Sequence, residues 1–174
     1  MKKFFLYLLF LGLGACGFSP LYSSNTDTLL TEQTSSVDIQ PIEGILGFQL
    51  KSFLKDKLNP TDLNTEKKYR LTVRTEVRKT GDQVIARDKF STLGKIVLKG
   101  RYKMTEIKTG AVVLESTADA SGTYNILKQP YATVSMEDKL LENLTKVVAD
   151  KIALHTVAYF KHVEMNRASQ TVSD

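Results

Sequence analysis

The sequence predicts an α+β fold: a two-layer sandwich in which two helices pack on one face of a mostly antiparallel four-stranded sheet, in the order β-α-β-β-β-α. Three observations lead there. Apolar residues recur at three- and four-residue steps in two separate stretches, residues 46–58 and 140–160, which is helical spacing. Between them the period changes to two, over residues 69–77, 96–104 and 112–124, as in strands with one wet face. One apolar sheet face and two apolar helix stripes can bury each other in a single pair of layers, which leaves the second sheet face open. The composition, 42% hydrophobic and 25% charged, is that of an ordinary globular chain. No internal repeat or second domain is visible.

Taken in order, the chain opens with Lys2 and Lys3, the ten-residue apolar run from Phe4 to Leu13, and the small residues Gly14 and Ala15 before Cys16. That order is a secretory signal peptide over residues 1–15. The run is about half of the roughly 20 residues that a membrane-spanning helix needs. Leu13-Gly14-Ala15-Cys16 further resembles the bacterial lipobox, which would make Cys16 the mature N-terminus. The lipobox chemistry implies a diacylglyceryl thioether on the Cys16 sulfur and an N-acyl chain on its amine. Several chains give durable anchoring where one is marginal. Cys16 is the only cysteine, so the competing reading, an intramolecular disulfide, is impossible. Gly17 rather than Asp follows it, which by analogy with enteric sorting rules directs the protein to the outer membrane, on its periplasmic side.

Residues 16–36 then read as a lipidated N-terminus and flexible tether, polar from Ser23 to Ser36 with no apolar period. Phe18, Leu21 and Tyr22 suit either the membrane interface or a partner beside it. The folded domain is expected over residues 37–166. Val37, Ile39 and Ile42 make a short strand. Leu46, Leu50, Phe53, Leu54 and Leu58 make an amphipathic helix stopped by Asn59-Pro60. Tyr69, Leu71, Val73, Thr75 and Val77 face inward on the next strand, with a turn at Thr80-Gly81-Asp82, a less regular return from Gln83 to Phe90 and a bulge or break near Ser91 to Gly94. Ile96, Leu98, Tyr102 and Met104 form the inward face of the third strand. A three-residue loop, Lys108 to Gly110, pairs Met104 with Leu114, because a two-residue loop would set Met104 against Glu115 and exchange the faces. The same register places Lys103 opposite Glu115 and Lys99 opposite Asp119. Small residues Ala118, Ala120 and Gly122 invite close packing on the last strand. Ser135 and Asp138 suggest a capping box opening a helix of about 25 residues, near 38 Å. Its stripe is Leu140, Leu144, Val148 and Ile152, flanked by Leu141, Val147 and Phe160. Residues 167–174 read as a disordered tail.

Function classes are narrowed mainly by what is missing. Without residues 1–15 the chain has 22 basic against 19 acidic residues, a net charge of +3, so nucleic acid binding loses both its charge and its compartment. His155 and His162 are the only histidines, seven apart, with no third metal ligand in view. No nucleophile elbow, phosphate loop or zinc spacing occurs. A noncatalytic protein without metal or cofactor is expected. Basic residues do gather on the outward sheet face: Arg70, Arg74, Arg78, Lys95, Lys99, Arg101 and Lys103. They are either solvated strand residues balanced by Glu76, Glu115 and Asp119, or a surface for phosphates.

Cys16-Gly17-Phe18-Ser19-Pro20-Leu21-Tyr22, followed by Tyr102-Lys103-Met104-Thr105 before the Thr109-Gly110 turn, Thr123-Tyr124-Asn125 and Tyr131-Ala132-Thr133, resembles in order and spacing the lipopolysaccharide-assembly lipoprotein (LptE-like) family of alphaproteobacterial type. The resemblance implies two helices against a four-stranded sheet. It also implies a plug and assembly factor inside the large outer-membrane β-barrel that exports lipopolysaccharide, held by its lipid anchor and assisting glycolipid passage. Arg101 and Lys103 are the residues proposed to meet lipopolysaccharide phosphates. Two other classes are an auxiliary lipoprotein of a lipid-transporting ABC system and an envelope enzyme that depends on His155.

Overall fold

The computed structural model describes residues 27–82, 92–127 and 129–171. The signal peptide and Cys16 lie outside the described residues, as does most of the return after the second strand. The elements are α1 (Asp27–Ser35), β1 (Val37–Ile39), α2 (Gly44–Leu58), β2 (Tyr69–Asp82), β3 (Thr92–Glu106), β4 (Val112–Ile126) and α3 (Pro130–Thr171). The expected α+β class holds. Among the described residues four strands lie in the order β1-β2-β3-β4, β1 parallel to β2 and the rest antiparallel, with three helices rather than two against the sheet.

Alternation sets the sheet. Leu71, Val73, Ile96, Leu98, Tyr102, Met104, Ala118 and Ala120 point into the core while Arg70, Arg74, Arg101, Lys103 and Glu115 stay exposed. The β3–β4 register is the predicted one from Met104 back, with Met104 opposite Leu114, Lys103 opposite Glu115 and Lys99 opposite Asp119, but a bulge between Met104 and Thr105 sets Thr105 opposite Val112, so the connection is not the expected three-residue loop. Gly110 has φ +73° and donates its N–H to the Glu106 carbonyl at 2.9 Å. The left-handed conformation costs a residue without Cβ least. The turn expected at Thr80-Gly81-Asp82 is instead strand, paired with Lys95, Gly94 and Leu93, so the β2–β3 ribbon is longer than its apolar pattern.

Small residues bring α3 onto the sheet. A Cβ at Gly122 would lie 2.6 Å from Leu140 Cδ1, and one at Gly100 would lie 3.1 Å from Val148 Cγ1. Leu144, Val148, Ile152 and Phe160 are buried along the predicted stripe, whereas Val147 is 42% exposed and belongs to the outer side. Two threonines inside this interface are satisfied locally, Thr145 Oγ1 donating to the Leu141 carbonyl at 2.7 Å and Thr156 Oγ1 to that of Ile152 at 2.8 Å. The helix has 42 residues, against the 25 expected. It begins at Pro130, a residue suited to the first turn because its missing N–H would be unpaired there anyway, so Ser135 is interior and caps nothing. At the other end it runs to Thr171 through the segment expected to be a disordered tail.

A second correction concerns α1, which occupies part of the predicted tether. Leu30, Thr34, Ser35 and Ser36 are buried. Ser35 Oγ donates to Asn59 Oδ1 at 3.0 Å, Gln33 Nε2 to Glu164 Oε1 at 2.9 Å, and Lys67 Nζ to the Ser35 carbonyl at 2.6 Å. Hydrogen bonds rather than an apolar stripe fix this helix between α2 and α3.

At the opposite end of the sheet, Glu137 of α3 accepts from Tyr124 Oη at 2.5 Å and from Lys79 Nζ at 2.6 Å. The Lys79 bond, then the Tyr124 bond, hold the Glu137 carboxyl below its ordinary 4.5, while the same contact with Glu137 pushes the Tyr124 phenol up. A carboxylate whose folded pKa is depressed contributes stability in full above its unfolded pKa and loses it as pH falls through the folded one. Glu137→Gln is therefore expected to flatten the loss of stability below about pH 4.5, read from urea midpoints across the acid range. An unchanged acid limb would show that this clasp does not hold α3 to the sheet.

Candidate basic sheet-face site

The helices cover one sheet face, and among the described residues nothing covers the other. On it the register sets Arg74 directly opposite Arg101, Thr72 opposite Lys103, and Glu76 opposite Lys99. Across β3, Arg101 faces Thr117 and Lys103 faces Glu115. Two arginines abreast would repel, and the structure relieves this through Glu76. Arg101 Nη2 reaches Glu76 Oε2 at 2.7 Å, and Arg78 Nε reaches Glu76 Oε1 at 2.7 Å. The Arg78 hydrogen bond and charge, aided by Arg101 and Lys99, hold the Glu76 carboxyl below its usual range. It stays ionised and neutralises only part of the patch.

Among the described residues neither Arg74 nor Lys103 has an ion pair. They border a shallow hollow of about 340 Å³ lined also by Thr72, Arg101, Glu115 and Thr117. A second hollow beside it is lined by Glu76, Arg78, Val97, Lys99 and Asp119. The arrangement can take an anion, because an exposed guanidinium and an ammonium with no carboxylate of their own pair readily with phosphate or carboxylate oxygens.

The sequence-predicted site residues divide unequally. Cys16 lies outside the described residues. Lys103 is exposed on the open face opposite Glu115, as the register predicts, and among the described residues it makes no ion pair. Arg101 is on that face too, but Glu76 already occupies it. Arg74 is the better-placed partner for Lys103, and only the β2–β3 register reveals that. His155 is half-buried and its Nδ1 meets the Tyr102 hydroxyl, with the rings 6.1 Å apart. His162 is exposed and sits 3.2 Å from Asn166 Nδ2. Burial pushes the Tyr102 phenol up. That pair joins α3 to β3 inside the core, away from the open face. Among the described residues no three His, Cys, Asp or Glu side chains gather as a metal site, and no helix is long and apolar enough to cross a membrane.

No family model matches the sequence, and no curated protein is detectably similar. Solved structures are. A candidate lipoprotein from Caulobacter crescentus is 22% identical, with a TM-score of 0.61 over 76% of this chain and 96% of that one. A minor lipoprotein from Acinetobacter baumannii is 15% identical, with a TM-score of 0.53 over 70% and 90%. The rare lipoprotein B of Shewanella oneidensis is 9% identical, with a TM-score of 0.56 over 74% and 98%. At these identities the likeness shows a shared fold.

Proposed function

We propose that this chain is an outer-membrane lipoprotein anchored through Cys16, serving lipopolysaccharide export as plug and assembly factor for a large β-barrel partner. The observation that carries the reading is the open sheet face. Among the described residues three helices seal one side, while Arg74 and Lys103 stand unpaired on the other beside Arg101. A protein lodged in a barrel at the periplasmic leaflet needs such a surface, rigid and wet, for a charged wall or a phosphorylated glycolipid. The opening Cys16-Gly17-Phe18-Ser19-Pro20-Leu21-Tyr22 and the lipoprotein names of the structural neighbours support the same reading. No catalytic role is assigned.

The test is an affinity pull-down of the mature protein from detergent-solubilised envelopes of its own host, with partners identified by mass spectrometry. A stoichiometric large β-barrel is the expected result. Recovery of an ABC complex alone would instead support an auxiliary lipoprotein of a lipid-transporting system, and no partner from intact envelopes would sink both.

A further inference from the structure

The two edges of the sheet are finished differently. On the β4 side, Lys151 of α3 reaches over and donates to the Asp119 carbonyl at 2.5 Å, which blunts the middle of that edge. On the β2 side, β1 pairs only Tyr69, Arg70 and Leu71. Its last bond is from the Gln40 N–H to the Leu71 carbonyl at 3.0 Å. Pro41 follows and has no N–H to continue the ladder, and the chain turns away through Gly44 at φ +81° into α2. Since Leu71 bonds outward to β1, the alternate residues Val73, Thr75, Val77 and Lys79 direct their N–H and C=O to the same side. Among the described residues nothing pairs with them.

The surroundings of this bare edge are selective. Arg74 and Arg78 project from it on the open face, and Arg74 has no carboxylate, because the Glu76 between them is taken by Arg78 and Arg101. On the helix side, α2 starts five residues past the end of β1, so its first turns follow the point where β1 leaves the edge of β2. There Ile45 is 82% and Phe48 76% exposed. A strand laid along β2 would therefore meet basic groups on one face and uncovered apolar groups on the other.

We infer that the free edge of β2, residues 73–79, is a docking site for an extended segment of a partner protein whose side chains alternate between apolar and acidic. The segment adds a fifth strand, its main chain completing the hydrogen bonds of Val73, Thr75 and Val77. Its acidic side chains face Arg74 and Arg78, and its apolar ones lie on Ile45 and Phe48. The site shares Arg74 with the hollow beside Lys103 but lies along the sheet edge, and it does not depend on the lipid anchor.

The test uses the mature chain and a synthetic peptide of about nine residues alternating glutamate and valine, with a lysine–valine peptide as control. The glutamate peptide is expected to slow amide hydrogen exchange at Val73, Thr75 and Val77 by roughly tenfold, and the lysine peptide to bind about fivefold more weakly or worse. Thr75→Pro removes an edge donor without taking a hydrogen bond from β3, a place where sheets tolerate proline, and should abolish the protection. Arg74→Glu, which leaves every backbone group in place, should reverse the charge preference. No slowing at these amides, equal slowing by both peptides, or binding undiminished in Thr75→Pro would overturn the site. So would slow, concentration-dependent exchange in the protein alone, which would give the edge to a second copy of the chain.

Discussion

Replacing Phe160 by alanine is expected to cost about 3–5 kcal/mol of folding stability, the range for deleting a large buried aromatic ring. Phe160 is 2% exposed and meets Tyr69 edge-on, centroids 5.1 Å apart at 66°, and Tyr159 at 5.4 Å and 63°. Tyr69 opens β2, Tyr159 belongs to α3, and the hollow beside the ring is bordered by Glu32, Gln33 and Ser36 from the α1 end of the chain. Truncation would leave a void where three elements converge. Collapse around it is opposed by the backbone bonds from Lys68 and Tyr69 to the Ser36 carbonyl, at 2.9 and 3.3 Å. Domains of this size are stable by only about 5–15 kcal/mol, so the variant would sit near the limit of folding. Urea denaturation of wild type, Phe160→Leu and Phe160→Ala measures it. The leucine variant should fall between the other two, and a loss under about 1 kcal/mol for alanine would mean that this corner is not part of the cooperative core.

The second large effect concerns location rather than stability. Cys16→Ser, with residues 1–15 replaced by an ordinary cleaved signal so that the apolar run is not retained, is expected to move the protein almost wholly from the membrane fraction to the soluble one and to abolish labelling by radioactive palmitate. Serine offers no thiol for a thioether, and without acyl chains no apolar helix of the described residues is available to hold the protein in a bilayer. Each buried methylene lost is worth about 0.8 kcal/mol, so losing several chains exceeds any surface attraction a net charge of this size can supply. The fold of the described residues, which open with the helix at Asp27, should be unaffected. Membrane retention of the variant after a high-salt wash, or no label in the wild type, would overturn the anchoring proposal and leave the α+β domain untouched.

The parts of this fold that could be read in advance are those whose burial is apolar and periodic. β3 and β4 alternate cleanly, and one energetic comparison, Met104 against Leu114 or against Glu115, was enough to fix their register. α1 was illegible for the opposite reason. Thr34, Ser35 and Ser36 are buried, but they are held by Asn59, Lys67 and Gln33, and a hydrogen-bonded polar segment looks like a loop to any periodicity argument. The start of α3 is hidden in the sequence because Ser135 and Asp138 have capping spacing, while Pro130 sets the first turn five residues earlier. The basic face was visible as a set of residues, but its working members were not. Whether Arg101 or Arg74 is free depends on which of them reaches Glu76, and that is decided by a β2–β3 register for which the sequence between the two strands carries no clear turn signal.

The slot that receives α3 has a consequence for how such a sequence can drift. Its width is set by side chains that are absent or small, at Gly100, Ala118, Ala120 and Gly122, whereas Thr117, Asp119 and Ser121 between them look outward. Substitution is thus governed by parity: every second position on β4 has an upper size limit, and its neighbours have almost none. A chain constrained in this way can exchange most of its alphabet while the spacing of its layers stays fixed. An architecture shared with a protein only 9% identical is the outcome that such a parity rule permits.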